Sequence, residues 1–349
     1  MLGIIFPGPV FADYLQQLQT RAEQMNLSAT DAWRALGHYE KNWLGSGVYS
    51  TVTTPWFFRA EQGASDPQAE LRATLAAFMD GSKITPRKES AQCVYRARYM
   101  FLDKHLQFDR ALMPAADCEQ YQRWYKSLNP QSVSLIFPSA YLNSPASMFG
   151  HTLLRIDSDQ QARSTELLAY AINFAANTKE EDGVAFAYKG MTGGYPGVYG
   201  VFPYYEKVKQ YAWIESRDVW AYQLALTDAE IQALLAHLWE MRGIEFDYYF
   251  LTKNCSYQLL SLIQAARPSL RLTEQFNWYA IPADTIRALR QVPGLLSEAQ
   301  FRPALRSSLE HEADTLTSPQ RELALEISDG DLAADAEALE SLPARDRAR

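Results

Sequence analysis

Cys255 is the residue of this sequence whose type and setting most favour nucleophilic chemistry. It follows Asn254, a residue type that caps helices by accepting a backbone N–H, and apolar residues recur after it at helical spacing as far as Ile263. The unpaired N–H groups and the positive dipole end of a helix N-terminus stabilise a thiolate. Cys255 is therefore a candidate nucleophile, although a lone cysteine is also often a small buried apolar residue.

His151 is the candidate base for this thiol. It follows Gly150, whose missing side chain leaves room for a close neighbour, and it opens an apolar run to Ile156 that predicts a strand. The other four histidines lie in contexts that predict helices or a polar tail. The sequence has no HExxH, no clustered Cys and His, no GxxxxGK and no GxSxG, so we expect no metal and no cofactor.

Alternating strands and two amphipathic helices would position these residues. An antiparallel pair is predicted around His151, and one helix begins at Asp228 and another at Asn254. The Gly- and Tyr-rich segment 189–201 is predicted to be a mobile loop, in which Tyr195 and Tyr199 would contact an acyl chain or a membrane interface, or else pack on their own domain. The predicted strands are 132–138, 151–156, 167–175 and 220–226.

The regions on either side of these elements differ in character. Residues 13–115 predict a helical N-terminal region, with one helix capped by Asp66, started by Pro67 and ended by Gly81. Within it and just after it, Cys93 and Cys118 could form a disulfide in an oxidising compartment or remain free thiols. Residues 301–349 form a polar tail that is partly helical or disordered.

Composition limits the classes of partner. A net charge of −8 opposes a nucleic-acid partner, because phosphate recognition needs a basic face. The sequence has no apolar run of about 18 residues or more, so no membrane-spanning helix is predicted. Residues 1–12 are apolar and end in Val10-Phe11-Ala12, as the remnant of a secretory signal peptide would. Without the basic segment that starts such peptides, an apolar N-terminal arm is the alternative.

A long motif surrounds His151. The run FPSAYLNSPASMFGHTLLR at 137–155, followed by YAINF at 170–174 and by Lys253-Asn254-Cys255, strongly resembles the periplasmic domain of Lnb-type lipoprotein N-acyltransferases. The order of a strand histidine before a cysteine at a helix start is also similar to circularly permuted papain-like proteins, including NlpC-type hydrolases. The resemblance implies an α+β domain of that permuted papain-like topology, with an antiparallel sheet and helices, over residues 116–300.

The resemblance also implies roles for individual residues. Cys255 would carry the acyl group, and His151 would be its general base. Asn173, on the next strand, would orient the imidazole, although a residue that only caps a hairpin is an equal alternative. The Cys255 N–H would form an oxyanion hole with a donor such as Tyr141 or Asn143. The other residues expected to line the site are Asn254, Ser144 and Ser147.

These features predict an exported, thiol-dependent acyl transferase in the periplasm, acting on a lipid or lipoprotein acyl substrate. Because no membrane-spanning helix is predicted, access to lipid would need peripheral membrane contact or a membrane partner. One alternative is a cell-wall peptide hydrolase with the same Cys–His pair, which would have a polar groove beside Cys255. The other is a non-catalytic envelope binding or assembly module, in which Cys255 would be deeply buried or His151 would point elsewhere.

Overall fold

A computed structural model describes residues 9–42, 47–141, 150–158, 166–178, 184–276 and 278–330 of the chain. The helices are α1 Pro9–Gln24, α2 Asp31–Leu36, α3 Pro67–Asp80, α4 Ala91–Val94, α5 Arg96–Leu106, α6 Glu119–Leu128, α7 Val184–Thr192, α8 Tyr204–Val208, α9 Asp228–Glu240, α10 Cys255–Ala266, α11 Pro282–Arg290, α12 Leu305–Thr315 and α13 Ser318–Asp329. A π-helical turn, Lys209–Ile214, continues α8. None of the helices in these residues has both the length and the apolar character needed to cross a membrane.

The strands form one large sheet and two small hairpins. The strands are β1 Tyr39–Lys41, β2 Val48–Ser50, β3 Lys83–Ile84, β4 Glu89–Ser90, β5 Ser132–Pro138, β6 Leu153–Asp157, β7 Tyr170–Ala176, β8 Tyr195–Pro203, β9 Val219–Leu224, β10 Glu245–Tyr248 and β11 Gln300–Arg302. The large sheet has the order β10-β8-β7-β6-β5-β9-β11, and every neighbouring pair in it is antiparallel. The predicted α+β class with an antiparallel sheet is confirmed.

Both faces of this sheet are covered by helices. Leu135 and Leu154 face the main apolar core, which α9 and α10 complete. Their neighbours Ile136 and Leu153 point to the opposite face and pack against α8 and the π-helical turn. Successive side chains of a strand point to opposite faces, so the central strands must be apolar on both sides. The nucleophile candidate on α10 and the histidine before β6 therefore approach a sheet that is buried on both faces.

The prediction of a mobile loop over 189–201 is wrong. Residues up to Thr192 belong to α7, and β8 begins at Tyr195 and pairs with β7 from Gly197 to Pro203. Glycines usually indicate a loop, but Gly197 lies within a strand for a packing reason. A Cβ at this position would collide with the Phe174 ring. Tyr195 and Tyr199 are buried in the main core, so they do not form a substrate loop.

The structure also tests the predictions for the ends of α3, the disulfide and the two ends of the chain. Asp66 caps α3 by accepting the backbone N–H groups of the next turn, and Gly81 ends the helix at φ +65°, as predicted. The Cys93–Cys118 disulfide is present and links α4 to the residue before α6. The predicted tail begins with strand β11, which extends the large sheet, and continues with α12 and α13. Pro9 to Ala12 belong to α1, and residues 1–8 lie outside the described part of the chain.

Candidate active site

Cys255 is the first residue of α10, at the end that Asn254 caps. The Asn254 Oδ1 accepts the backbone N–H groups of Ser256 and Tyr257, at 3.0 and 3.3 Å. Its Nδ2 donates to the carbonyl oxygens of Phe250 and Ala280, at 2.9 and 2.7 Å. The predicted N-cap is confirmed, and the same amide also fixes the loop that leads into the helix. Cys255 is therefore held at the positive end of a rigidly capped helix.

His151 lies two residues before β6 and not inside the strand, where the sequence placed it. Gly150 adopts φ +97°, and a Cβ there would come within 2.8 Å of the Phe137 ring, so the turn that delivers His151 requires glycine. The imidazole Nε2 lies 2.7 Å from Oδ1 of Asn173. An amide oxygen only accepts, so Nε2 carries a proton and Nδ1 is the nitrogen left to face the thiol.

The pKa values of Cys255 and His151 move in opposite directions. Burial raises the pKa of Cys255, but attraction to the His151 imidazolium and hydrogen bonding to it lower that pKa by more, to about 7. For His151, burial lowers the pKa, and the opposing attraction and hydrogen bond from Cys255 and the bond to Asn173 leave the pKa above its usual value. These shifts favour a thiolate–imidazolium pair near neutral pH, which is the reactive form of a thiol nucleophile.

Further polar groups surround the sulfur. Hydrogen bonds from the backbone of Thr152 and the side chain of Ser256 also lower the pKa of Cys255. The hydroxyl groups of Thr152 and Ser256 are 2.9 Å apart in a buried contact that joins the start of β6 to α10. At the end of β10, burial raises the pKa of Tyr248 well above its usual value, while a hydrogen bond from the Cys255 backbone acts against that rise. The Tyr248 hydroxyl therefore lies beside both the sulfur and the backbone of Cys255.

An aromatic ring and an arginine pack beside His151. Tyr211, in the π-helical turn, has its ring 6.0 Å from that of His151 between centroids. Arg217 stacks on Tyr211 at 4.9 Å and donates to the carbonyl oxygens of Pro138 and Ser139. Its positive charge works against the rise in the pKa of His151. Arg217 thus holds the end of β5, against which the His151 backbone lies.

The remaining predicted site residues have different outcomes. Tyr141 lies beside Arg217, whose guanidinium is 5.9 Å from the centroid of the Tyr141 ring. Asn143, Ser144 and Ser147 lie outside the described residues. Arg155, in the same motif as His151, is buried and pairs with Asp157 at 2.5 Å.

The sequence analysis missed Tyr248, Tyr211 and Arg217. Tyr248 lies in an aromatic segment shortly before Asn254, where aromatic residues are expected to be part of the core. Nothing in the sequence indicates a separate role for its hydroxyl. Tyr211 and Arg217 come from a segment with no motif. Only the three-dimensional arrangement shows that they surround His151 and Cys255.

Taken with the fold, these contacts define the class: an α+β domain with a buried Cys–His–Asn array at a helix N-terminus. Residues 120–292 match the family model described as the Lnb N-terminal periplasmic domain, which is the family that the motif around His151 predicted. The family indicates a periplasmic protein, and a disulfide is typical of that oxidising compartment.

Two further family models match the flanking regions. Residues 25–105 match a domain of unknown function, DUF7843, and residues 299–349 match another, DUF7842. No curated protein and no solved structure matches the chain.

Proposed function

We propose that this protein is a periplasmic thiol-dependent acyl transferase in which Cys255 carries the acyl group. The observation that carries the proposal is the array of Cys255, His151 and Asn173. The thiol pKa is lowered to about 7, and the imidazole is oriented by an amide oxygen at 2.7 Å. The order of the histidine before the cysteine, with the cysteine at a helix N-terminus against an antiparallel sheet, supports a circularly permuted papain-like (NlpC-type) topology.

In the first step the Cys255 thiolate attacks an acyl ester carbonyl. The carbon–sulfur bond forms, the carbon–oxygen bond to the leaving alcohol breaks, and the His151 imidazolium gives its proton to that alcohol. In the second step an amine attacks the thioester and passes a proton to His151. The carbon–nitrogen bond forms, and Cys255 leaves as the thiolate. The family resemblance suggests a lipoprotein N-terminal amine as this acceptor, and water would give hydrolysis instead.

Both steps develop negative charge on the carbonyl oxygen. The backbone N–H of Cys255, at the start of α10, is one donor for that charge, once the substrate oxygen replaces the Tyr248 hydroxyl as its acceptor. The Tyr248 hydroxyl, which lies against this N–H and the sulfur, is the second donor that we propose. We propose Tyr248 for this role in place of Tyr141, whose ring lies beside the Arg217 guanidinium.

Exposed apolar side chains near the site favour a lipid acyl chain as substrate. The π-helical turn that packs Tyr211 on His151 exposes Trp213 and Ile214, which are 68% and 71% accessible. Tyr205 and Phe202, just before this turn, are exposed as well. Trp and Tyr side chains of this kind suit the boundary between lipid and water. We propose that this surface brings the site into peripheral contact with a membrane.

The two alternatives fit fewer of these observations. A cell-wall peptide hydrolase would have a polar groove beside Cys255. Polar groups do surround the sulfur, but the exposed Trp213, Ile214 and Tyr205 beside the site favour an apolar substrate. A non-catalytic module would have a deeply buried Cys255 or a His151 that points away. Cys255 is indeed only 2% exposed, but His151 is the main group that lowers its pKa, and a purely structural role does not require that effect.

The test is intact-mass analysis of the purified protein after incubation with phospholipid vesicles. We expect wild type to gain the mass of one acyl chain and to lose it on addition of hydroxylamine, which cleaves thioesters. Cys255→Ala should gain nothing. The Ser127→Ala variant, which alters an exposed residue of α6, is the matched control and should be acylated like wild type.

The outcomes separate the candidate functions. An adduct on wild type that Cys255→Ala abolishes supports acyl transfer. Release of cell-wall stem peptides by wild type and not by Cys255→Ala, with no acyl adduct, would favour the hydrolase. If wild type shows neither activity and Cys255→Ala has the same properties, the catalytic proposal is wrong and the binding module is favoured.

A further inference from the structure

The N-terminal region contacts the reactive helix at the turn that carries Cys255. Oε1 of Glu40, on β1, accepts hydrogen bonds from the Lys253 ammonium and from the Tyr257 hydroxyl. These two partners lie two residues before and two residues after Cys255. The Lys253 nitrogen also lies 3.8 Å from the centroid of the Tyr257 ring. One carboxylate from outside the matched Lnb domain therefore binds the helix start on both sides of the cysteine.

This contact differs from an ordinary surface ion pair. The Lys253 and Glu40 side chains are only about a fifth exposed, at 21% and 22%. Oε2 of Glu40 accepts a third hydrogen bond, from the Tyr49 hydroxyl at 3.3 Å. An exposed pair is weak because water and side-chain entropy compete with it, whereas a carboxylate with several partners in partial burial fixes its neighbours more firmly.

The chain just after the Glu40 hairpin is hydrogen-bonded to β10, the strand that carries Tyr248. The backbone N–H of Thr53, just after the β1–β2 hairpin, donates to the carbonyl oxygen of Glu245 at 2.9 Å. The Glu245 N–H in turn donates to the Thr54 hydroxyl at 2.7 Å. Glu245 is the first residue of β10, the strand that ends at Tyr248. The same short stretch of chain therefore contacts both the strand of Tyr248 and the helix of Cys255.

A second buried contact fixes α10 farther along. Nδ1 of His38 lies 3.1 Å from the hydroxyl of Ser261, and Nε2 of His38 lies 3.0 Å from Nε2 of His237 on α9. His38 and His237 are buried, so these contacts are shielded from water. The N-terminal region thus holds α10 near its first turn through Glu40 and near its middle through His38.

From these contacts we infer that Glu40 is a positioning residue for the thiol chemistry: it holds the first turn of α10 where the Cys255 sulfur meets His151. The inference rests on the proposed function, because the position of the thiolate affects activity only if the thiolate carries out acyl transfer. It makes the N-terminal region part of the working site. An accessory domain would leave the chemistry unchanged when its contacts are removed.

The sign of one measurement distinguishes positioning from a direct charge effect. Removal of a carboxylate near a thiol stabilises the thiolate, and this would lower the thiol pKa. Loss of positioning weakens the contact with His151, and this would raise the thiol pKa toward its ordinary value of about 8.5. The two roles of Glu40 therefore predict shifts in opposite directions.

The experiment measures the ultraviolet absorbance of the thiolate against pH. Each variant is compared with the same variant carrying Cys255→Ala, so that the difference reports Cys255 alone and needs no reagent to reach the buried sulfur. Glu40→Gln should raise the midpoint by about half a pH unit or more, and Tyr257→Phe should raise it by less. Asp31→Asn is the matched control. Asp31 is another carboxylate of the N-terminal region, and it pairs with Arg271 at 2.7 Å, beyond the end of α10 and away from its first turn.

An unchanged or lowered midpoint in folded Glu40→Gln would overturn the inference. If Glu40→Gln does not fold, Tyr257→Phe decides by the same criterion. A midpoint that rises equally in Asp31→Asn would show a general loosening and would also overturn it. Failure of the acyl-transfer proposal looks different: wild type would take up no acyl group although its thiolate midpoint still depends on Glu40.

Discussion

Replacing Asn173 with alanine tests the array at the bond that orients His151. The Asn173 Oδ1 is the partner of Nε2 at 2.7 Å, and the side chain is buried. A hydrogen bond to a charged group contributes about 1.5–3 kcal/mol, and one pKa unit corresponds to about 1.4 kcal/mol. The pKa of His151 should therefore fall by about one to two units, because the imidazolium loses its acceptor.

The thiol should respond in the opposite direction. The His151 imidazolium is the largest of the groups that together lower the pKa of Cys255 to about 7. With less imidazolium available near neutral pH, the Cys255 pKa should rise toward its ordinary value of about 8.5. The two groups titrate as a pair, so the measured midpoint belongs to the pair. We expect the thiolate midpoint of Asn173→Ala to be higher than that of wild type by about one unit.

The assay is thiolate absorbance against pH, with each variant referenced to its Cys255→Ala form. Asn177→Ala is the matched control, since it removes the same side chain from an exposed position just beyond the end of β7. Its midpoint should equal that of wild type. A folded Asn173→Ala protein whose midpoint stays within about 0.2 units of wild type would refute the reasoning that Asn173 supports the ion pair.

Three further predictions follow from contacts at the site and in the N-terminal region. Asn254→Ala should lower the free energy of unfolding by about 2–4 kcal/mol in urea denaturation, since it removes the cap and leaves one buried and one partly buried carbonyl group without their donor. A loss below about 0.5 kcal/mol would contradict this. Replacing Cys93 and Cys118 with alanine should cost about 3 kcal/mol, because the bridge closes a loop of 25 residues, and reducing wild type should cost the same. Tyr248→Phe should slow acyl transfer by about 100-fold with little change in the Cys255 thiolate midpoint; an unchanged rate would remove Tyr248 from the oxyanion hole.

Local signals in the sequence predicted the parts of the site that depend on a few neighbouring residues. Asn254 before an apolar helical pattern predicted the cap, because capping depends only on the first turn. Gly150 before His151 predicted a close approach, and the structure identifies Phe137 as the neighbour. The exact start of β6 was wrong by two residues, because pairing in the sheet, and not local hydrophobicity, decides where a strand begins.

Contacts between distant segments could not be predicted in the same way. Tyr248 and Glu40 meet the Cys255 turn only because β10 and β1 fold beside α10, and no spacing in the sequence encodes that pairing. The error at Tyr199 has the same origin. Glycine in a strand is read locally as a turn, whereas here Gly197 makes room for the ring of Phe174 from the neighbouring strand.

The position of Glu40 changes how the N-terminal region should be understood. Its sequence predicts helices and contains no catalytic motif, which is typical of an accessory region. In the structure, however, Glu40 binds both sides of the cysteine turn, and Thr53 pairs with the strand that ends at Tyr248. A nucleophile and its oxyanion donor must keep their relative positions to within a fraction of an ångström for transfer to be efficient. A region that contacts both elements at once is well placed to set that geometry, and the Lnb-type domain of this chain would therefore depend on its N-terminal neighbour for reactivity as well as for stability.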